Sequence, residues 1–401
     1  MLVNCAIVVT ASSGVGMGIL RGIPSCPKLF AGRPMQRYAF VFLEILSCEG
    51  GIQSYVRDIL RAYPGAVPAD VFLLRDGPEV DNPFVSDRLR FHYLKTKPAS
   101  LGRLRLAVQF LAYLIRYRPQ RVFCGHIHLA PLISPLCKAL EVPLTILTYG
   151  KEVWEPLPPQ KQKALQSADR VWTISRYSRD RLCAANGVNP DRVEFLYCAV
   201  DGQVFRPMEP ERSLIEKYGL ANSRVMMTVA RLWSGDPYKG VDVTIRALPQ
   251  ILAQYPDVKY LVIGRGDDQP RLAQLAVELG VADRVVFAGF VPTAELPQHY
   301  NLADIYVMPS QEGFGIVYLE SMACGVPVLS GDGDGSADPL QDGHLGWRVP
   351  YRDPQAVAIA CCEMLAGQDP RCNGVMLREK ALHLFDRSAL QERLVELLGK
   401  G

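Results

Sequence analysis

Between Ile305 and Ser330 the chain reads IYVMPSQEGFGIVYLESMACGVPVLS, a stretch that few folds can accommodate. Its first four residues form a short apolar run of the kind a parallel sheet buries on both faces, and Pro309 ends it. Gly313 and Gly315 flank Phe314 in a loop where backbone can approach a ligand closely. A helix is predicted from about Ile316 to Cys324. Gly325 breaks it, and Val326 to Leu329 supplies the next strand. Strand, glycine loop, helix and strand in that order build an open α/β sheet. The unpaired amides and the positive dipole end at the helix start suit phosphate.

Two carboxylates sit beside those amides, Glu312 before the glycines and Glu320 on the helix. A carboxylate next to phosphate is repulsive. It is favourable where it faces hydroxyls instead, because it accepts from two neighbouring hydroxyls well. A ligand with phosphate in the middle and a polyol at each end meets both demands, and a sugar nucleotide is such a ligand.

At these residues the chain resembles a known family. Glu312 and Glu320, with seven residues between them, match the E-x7-E motif of the retaining glycosyltransferases of family 4, the glycosyl transferases group 1 of GT-B fold. The surrounding PSxxEGFGxxxxExMAxGxPV is more specific than the spacing alone. The resemblance runs over roughly residues 38 to 398. It implies two Rossmann-like α/β domains facing each other across a cleft: residues 36–207 on the acceptor side and 208–385 on the nucleotide-sugar side. Residues 386–401 then pack back on the first domain, and residues 1–35 are an N-terminal extension.

Composition agrees and excludes other classes. At 401 residues the chain exceeds the size at which one core stops growing, so two domains are expected. Hydrophobic content of 49% against 21% charged residues is globular rather than disordered. A net charge of +3, with no basic cluster interleaved with aromatics, gives no nucleic-acid site. Eleven scattered cysteines without a C-x2-C pair exclude a zinc ribbon or redox motif, and dispersed thiols read as a reduced, cytoplasmic compartment. Contact with the cytoplasmic face of a membrane is the second localisation reading.

The first 34 residues admit three readings. Leu2 to Leu20 is uncharged, as in a leader or anchor, yet no Lys or Arg precedes it. VVTASSGVGMG, with Gly14, Gly16 and Gly18, looks like a short-chain dehydrogenase cofactor loop. The Y-x3-K that such an enzyme needs falls at Tyr255 and Lys259, where Pro256 and Asp257 predict a turn. The favoured reading is an extension, with Met35 the start and the first strand just after it.

From Ala39 to Leu43 a strand is predicted, then the glycine turn CEGGIQ and a helix through Leu60. Gly50 and Gly51 match the family's N-domain glycine loop, which lies near donor phosphates and acceptor. Leu101 to Arg118 is an amphipathic helix with arginines at its ends. It reads first as core-packing with solvated arginines, and second as a helix that lies on an anionic membrane. After Val122 to Cys124 comes GHIHLAPL; His126 and His128 would point to opposite faces if extended, so that one faces the cleft and the two do not share a metal. By resemblance the histidine near the transferred sugar is His126, with His128 the fallback. Tyr149 stands where relatives carry His, and Glu152 and Trp154 match a subgroup pattern on the acceptor side.

In the second half a strand, Val225 to Ala230, leads into RLWSGDPYKG and a helix from Val241 to Gln254. Arg231 and Lys239 are two fixed cations of the kind a departing diphosphate requires, and they match the family's R…K pair. Gly264 and Gly266 match the nucleotide loop, and the Phe290 and Val291 backbone at the end of a strand from Val285 is implied to read the base. His299 reads as structural. Asp332 and Asp334 form a D-x-D, which elsewhere binds a divalent metal, but here reads as loop and turn, with Asp338 in place of a common Glu.

The resemblance thus implies transfer of a glycosyl unit from a UDP- or GDP-linked sugar to an acceptor hydroxyl, with retention, in polysaccharide or glycolipid synthesis. It implies no cofactor and no metal. Arg231 and Lys239 would stabilise the leaving diphosphate and Glu312 the donor sugar. Glu320 would hold the ribose, the amides from Gly313 through Phe314 and Gly315 to Ile316 phosphate and sugar, and His126 would face the sugar. Alternatives are a GT-B epimerase or hydrolase and a non-catalytic sugar-nucleotide-binding subunit.

Overall fold

The computed structural model describes residues 36–400 apart from Asp236. The leader, the dehydrogenase loop at Gly14, Gly16 and Gly18, and the start at Met35 lie outside the described residues.

Two wholly parallel sheets organise the chain. The first contains β1 (Tyr38–Phe42), β2 (Ala69–Leu73), β3 (Leu89–Tyr93), β4 (Arg121–Cys124), β5 (Leu144–Leu147), β6 (Arg170–Thr173) and β7 (Val193–Phe195), in the order β3-β2-β1-β4-β5-β6-β7. The second contains β8 (Arg224–Val229), β9 (Val258–Ile263), β10 (Val285–Gly289), β11 (Ile305–Met308), β12 (Val328–Gly331) and β13 (Trp347–Val349), in the order β10-β9-β8-β11-β12-β13. Every residue of YAFVF, LTIL, IYVM and VLSG is buried, as the absence of polar alternation requires of strands covered on both faces. In each sheet the winding reverses beside its first strand, between β1 and β4 and between β8 and β11. Loops leaving the carboxyl ends of those strands diverge and leave a crevice.

Some boundaries moved for local reasons. The helix Ile316–Ala323 ends in a glycine cap: Gly325, at φ 81°, donates to Met322 and the Val326 N–H reaches back to the Ser321 carbonyl at 3.0 Å. Val326 is spent on that cap, so β12 begins two residues later than its apolar pattern suggests. Likewise β10 stops at Gly289, where φ is 73°, and Phe290 and Val291 lie beyond the strand.

The chain crosses between the two lobes twice, and the crossings touch: Val200 pairs with Asp386, the Val200 N–H donating to the Phe385 carbonyl at 2.8 Å. The last helix, Arg387–Gly399, therefore lies on the first lobe against α1 (Gly51–Ala62). The Tyr38 hydroxyl donates to the Leu398 carbonyl at 3.2 Å, and Arg393 donates to the Phe195 carbonyl at 2.9 Å. Arg387 pairs with Asp58 at 3.4 Å and with Asp201. No described helix is long and apolar enough to cross a membrane.

Candidate active site

The second lobe's switch point brings together the loops after β8 and β11. Lys239 Nζ lies 2.6 Å from Glu312 Oε1. Burial pulls the ammonium down, but Glu312 and the Tyr238 hydroxyl outweigh it and leave Lys239 raised, so it is a cation at neutral pH. An ammonium has three donors and Glu312 takes one, which leaves capacity for a ligand oxygen. Arg231 is exposed at the start of the same loop, its guanidinium 5.3 Å from the Trp233 ring centroid.

Gly264 and Gly266 hold that loop in place. A Cβ on Gly264 would stand 1.8 Å from the Ala230 carbonyl oxygen, and one on Gly266 1.6 Å from that of Leu232. These glycines are demanded by the backbone that carries Arg231, a reason independent of any ligand. Beyond β10, Val291 is buried, while half-exposed Phe290 carries the Arg265 guanidinium 4.6 Å from its ring centroid.

At the opening of the helix Ile316–Ala323, Gly315 adopts φ 90° and the Phe314 side chain turns inward. Its ring is 5.8 Å from Tyr197 and 5.6 Å from Phe385, so a ligand in the cleft meets Phe314 through its main chain. Ile316 is half-buried against the same core. Glu320 is buried and accepts from the Tyr300 hydroxyl at 2.7 Å. Burial pushes its carboxyl up to about 7 despite that hydrogen bond, and the charge of Asp58, on α1 of the other lobe, adds to the rise.

The two aspartates of the D-x-D do not act together. Asp334 is buried; Oδ2 accepts from the Glu312 N–H at 2.6 Å and Oδ1 from the Ser336 N–H at 2.9 Å. Asp332 is exposed, and its carbonyl accepts from Arg348. Among the described residues no group of three His, Cys, Asp or Glu side chains is placed to hold a metal.

In the first lobe, Gly50 caps α1 and Gly51 opens it, while β4 delivers His126. The segment after β4 turns instead of extending, which changes the expected geometry of the two histidines. Their rings stack at 4.7 Å and 14°, and His126 Nδ1 accepts from the His128 N–H at 3.1 Å. Burial first, then His128, Lys161 and Arg75, push the His126 imidazole down to about 4, so it is neutral in ordinary buffers. Tyr149 lies 6.1 Å from the His126 ring, and its hydroxyl donates to the Gly125 carbonyl at 2.5 Å. Glu152 accepts from the Tyr149 N–H at 2.5 Å, which fixes the turn. Buried Trp154 donates to Ser178 at 3.2 Å and is a support for that turn rather than an open surface. His299 is buried, hydrogen-bonded to Tyr218 and to the Glu295 carbonyl.

The lobes meet at this site. A Cβ on Gly313 would stand 2.1 Å from the Tyr149 carbonyl oxygen, so the second lobe's glycine loop is in backbone contact with the first lobe's turn. Lys151, from that turn, places its ammonium 3.9 Å from the Tyr238 ring centroid, next to Lys239. Asp338 accepts from the Arg176 N–H at 2.7 Å and from its guanidinium, which also reaches Asp342 at 2.8 Å. Sequence reading gave no role to Arg176, Lys151 or Tyr300. Their partners lie on distant segments, and no local pattern announces them.

Two parallel-sheet lobes with paired cations and a glycine-opened helix across a cleft define a nucleotide-sugar transferase of GT-B type, and the comparisons agree. The Glycosyl transferase 4-like domain matches residues 50–199 and the Glycosyl transferases group 1 family matches residues 223–367. The GDP-mannose-dependent alpha-(1-6)-phosphatidylinositol monomannoside mannosyltransferase of Mycolicibacterium smegmatis is 38% identical over 267 residues, 63% of this chain and 68% of that protein. The Mycobacterium tuberculosis H37Rv protein of the same name is 35% identical, over 55% of this chain and 60% of its own length. A D-inositol 3-phosphate glycosyltransferase of Acidothermus cellulolyticus is 32% identical over 54% of this chain and 49% of its own. In structure the chain is similar to Anabaena Alr3699/HepE in complex with UDP and glucose (TM-score 0.73, 22% identity, 91% of this chain, 99% of that one). It is also similar to sucrose-phosphate synthase from Thermosynechococcus elongatus (TM-score 0.75, 22% identity, 91% and 98%). The chain belongs to the group 1 glycosyl transferases, family 4, and is a glycosyltransferase.

Proposed function

We propose that this enzyme moves a mannosyl unit from GDP-mannose to a hydroxyl of an inositol-bearing lipid or inositol phosphate, with retention and without a bound metal. The observation that carries the donor half is the Lys239–Glu312 pair at 2.6 Å with Arg231 on the same loop. It sets cations for a leaving diphosphate beside a carboxylate for sugar hydroxyls. The names of the relatives supply mannose, guanosine and inositol. In this reading Glu320 holds the ribose, main-chain amides from Gly313 to Ile316 meet phosphate and sugar, and Gly50 and Gly51 border the phosphates. Gly264, Gly266 and Val291 frame the base, and His126 faces the sugar. The leaving phosphate itself takes the acceptor proton in a front-face displacement. Neutralisation of the diphosphate falls to Arg231 and Lys239, because Asp334 spends its two oxygens on the backbone amides of Glu312 and Ser336.

The test is turnover of GDP- and UDP-sugars with phosphatidylinositol, phosphatidylinositol mannoside and inositol phosphate, with and without chelator, and NMR of the anomeric product. An α-mannoside formed from GDP-α-mannose in the presence of chelator is the expected result. An inverted product, dependence on added metal, or donor consumption with no acceptor would overturn the corresponding part.

A further inference from the structure

The helix α2 (Ala99–Tyr117) is apolar on two opposite faces. One face buries Leu106, Phe110, Tyr113 and Leu114 in the first lobe's core. The other carries Leu101, Leu104, Val108, Leu111 and Ile115, exposed by 49, 61, 60, 37 and 46%. Their spacing of three, four, three and four residues draws one straight stripe along the helix. Both sequence readings of this segment therefore have a face to themselves. Five large apolar side chains left in water on one stripe are costly and need a partner.

Charge selects the partner. Arg105 and Arg116, eleven residues or three turns apart, lie along one edge of the stripe, and both are exposed. From Ala99 to Arg118 there are four arginines and no acidic residue. A second copy packed on this stripe would set the same arginines against one another. A bilayer with anionic headgroups satisfies both demands, with apolar side chains below the headgroups and guanidiniums among the phosphates. Position agrees: α2 packs against the helix Ala130–Ala139, which follows directly on the His126–His128 turn, so the stripe lies on the part of the first lobe that carries those histidines.

We infer that the outer face of α2 is a docking surface for an anionic lipid bilayer, holding the first lobe at the membrane. This goes beyond the transfer reaction, and its test requires no turnover.

The test is flotation of the full chain with phosphatidylcholine vesicles with and without phosphatidylglycerol. Leu104→Ser with Val108→Ser and, separately, Arg105→Gln with Arg116→Gln are floated beside it. The wild type is expected to float with the anionic vesicles only. Each basic residue near such a surface strengthens partitioning about fivefold, so losing two should weaken it roughly 25-fold. The serine pair should abolish flotation while melting stays unchanged, because both positions are exposed. Flotation of either variant at the wild-type level, none by the wild type, or a wild-type dimer that the serine pair dissolves would each overturn the inference. None of these results bears on the donor, so failure here is separable from failure of the proposed reaction.

Discussion

The Asp338 carboxylate accepts the backbone N–H of Arg176 at 2.7 Å, joining the start of the helix Arg176–Asn186 in the first lobe to the loop after β12 in the second. The same carboxylate meets the Arg176 guanidinium, and burial of Asp338 keeps water from competing. A helix start in one lobe is thus capped by the other.

Asp338→Ala should leave that N–H without its acceptor and cost about 1–3 kcal/mol. The expected readout is a lower melting temperature together with a larger radius of gyration by small-angle scattering, as the lobes lose a tie. An unchanged radius would show that the remaining contacts hold the lobes together unaided.

Lys239→Ala and Arg231→Ala should each reduce turnover by ~100-fold or more, as removal of a charge partner developed in the transition state does. In the lysine variant Glu312 also loses its 2.6 Å partner, so donor affinity should fall with turnover. Steady-state kinetics of both variants would check this, and near wild-type rates would reject the assignment.

Glu320 supplies a pH dependence. Its folded value, about 7, lies above the ordinary 4.5, so between those values the folded chain holds a proton that the unfolded chain releases. Its contribution is present below pH ~4.5 and is lost as pH rises towards 7, amounting to ~3 kcal/mol. Glu320→Gln should therefore stabilise the unliganded protein at pH 8 and change it little at pH 4.5. If the carboxylate holds the ribose, nucleotide affinity of the wild type should rise through pH 7 and that of the variant should not. Calorimetry showing parallel profiles would remove the ribose role.

Two glycines of the candidate site should respond oppositely to alanine. At Gly313 the new Cβ would meet the Tyr149 carbonyl oxygen at 2.1 Å, which only separation of the lobes relieves; melting temperature and turnover should both fall. At Gly51 nothing lies within 4 Å and the residue opens a helix, where alanine gains about 0.5–1 kcal/mol. Gly51→Ala should stay folded, so any loss of turnover there reports on the ligand rather than the fold.

What could be read in advance follows from how local each signal is. The unit from β11 to β12 and the helix Val241–Gln254 were legible because their punctuation lies within the segment: Pro309, Gly315, Gly325 and Gly240. The pairing of Lys239 with Glu312 was not legible: resemblance assigned the lysine to the diphosphate and the carboxylate to the sugar, and the 73 residues that separate them hide the direct contact. The strand β2 was not read, for ADVFL places an acid where a buried strand should be apolar. Asp70 is tolerated there because Arg37, His92 at 2.8 Å and Tyr113 at 3.0 Å converge on it from other segments. The histidines failed differently: alternation applies to extended chain, and the turn after β4 replaced it.

The pairing of Val200 with Asp386 has a practical corollary for building hybrids with related enzymes. The second lobe is an insertion between two adjacent crossings of the chain, not the C-terminal half of a linear sequence. Exchanging it cleanly means cutting at both passages and returning residues 387–399 to the parent whose Tyr38, Asp58 and Phe195 they touch. A chimaera made with one cut near residue 207 would carry a foreign terminal helix on its first lobe, and a defect in that hybrid would say nothing about the second.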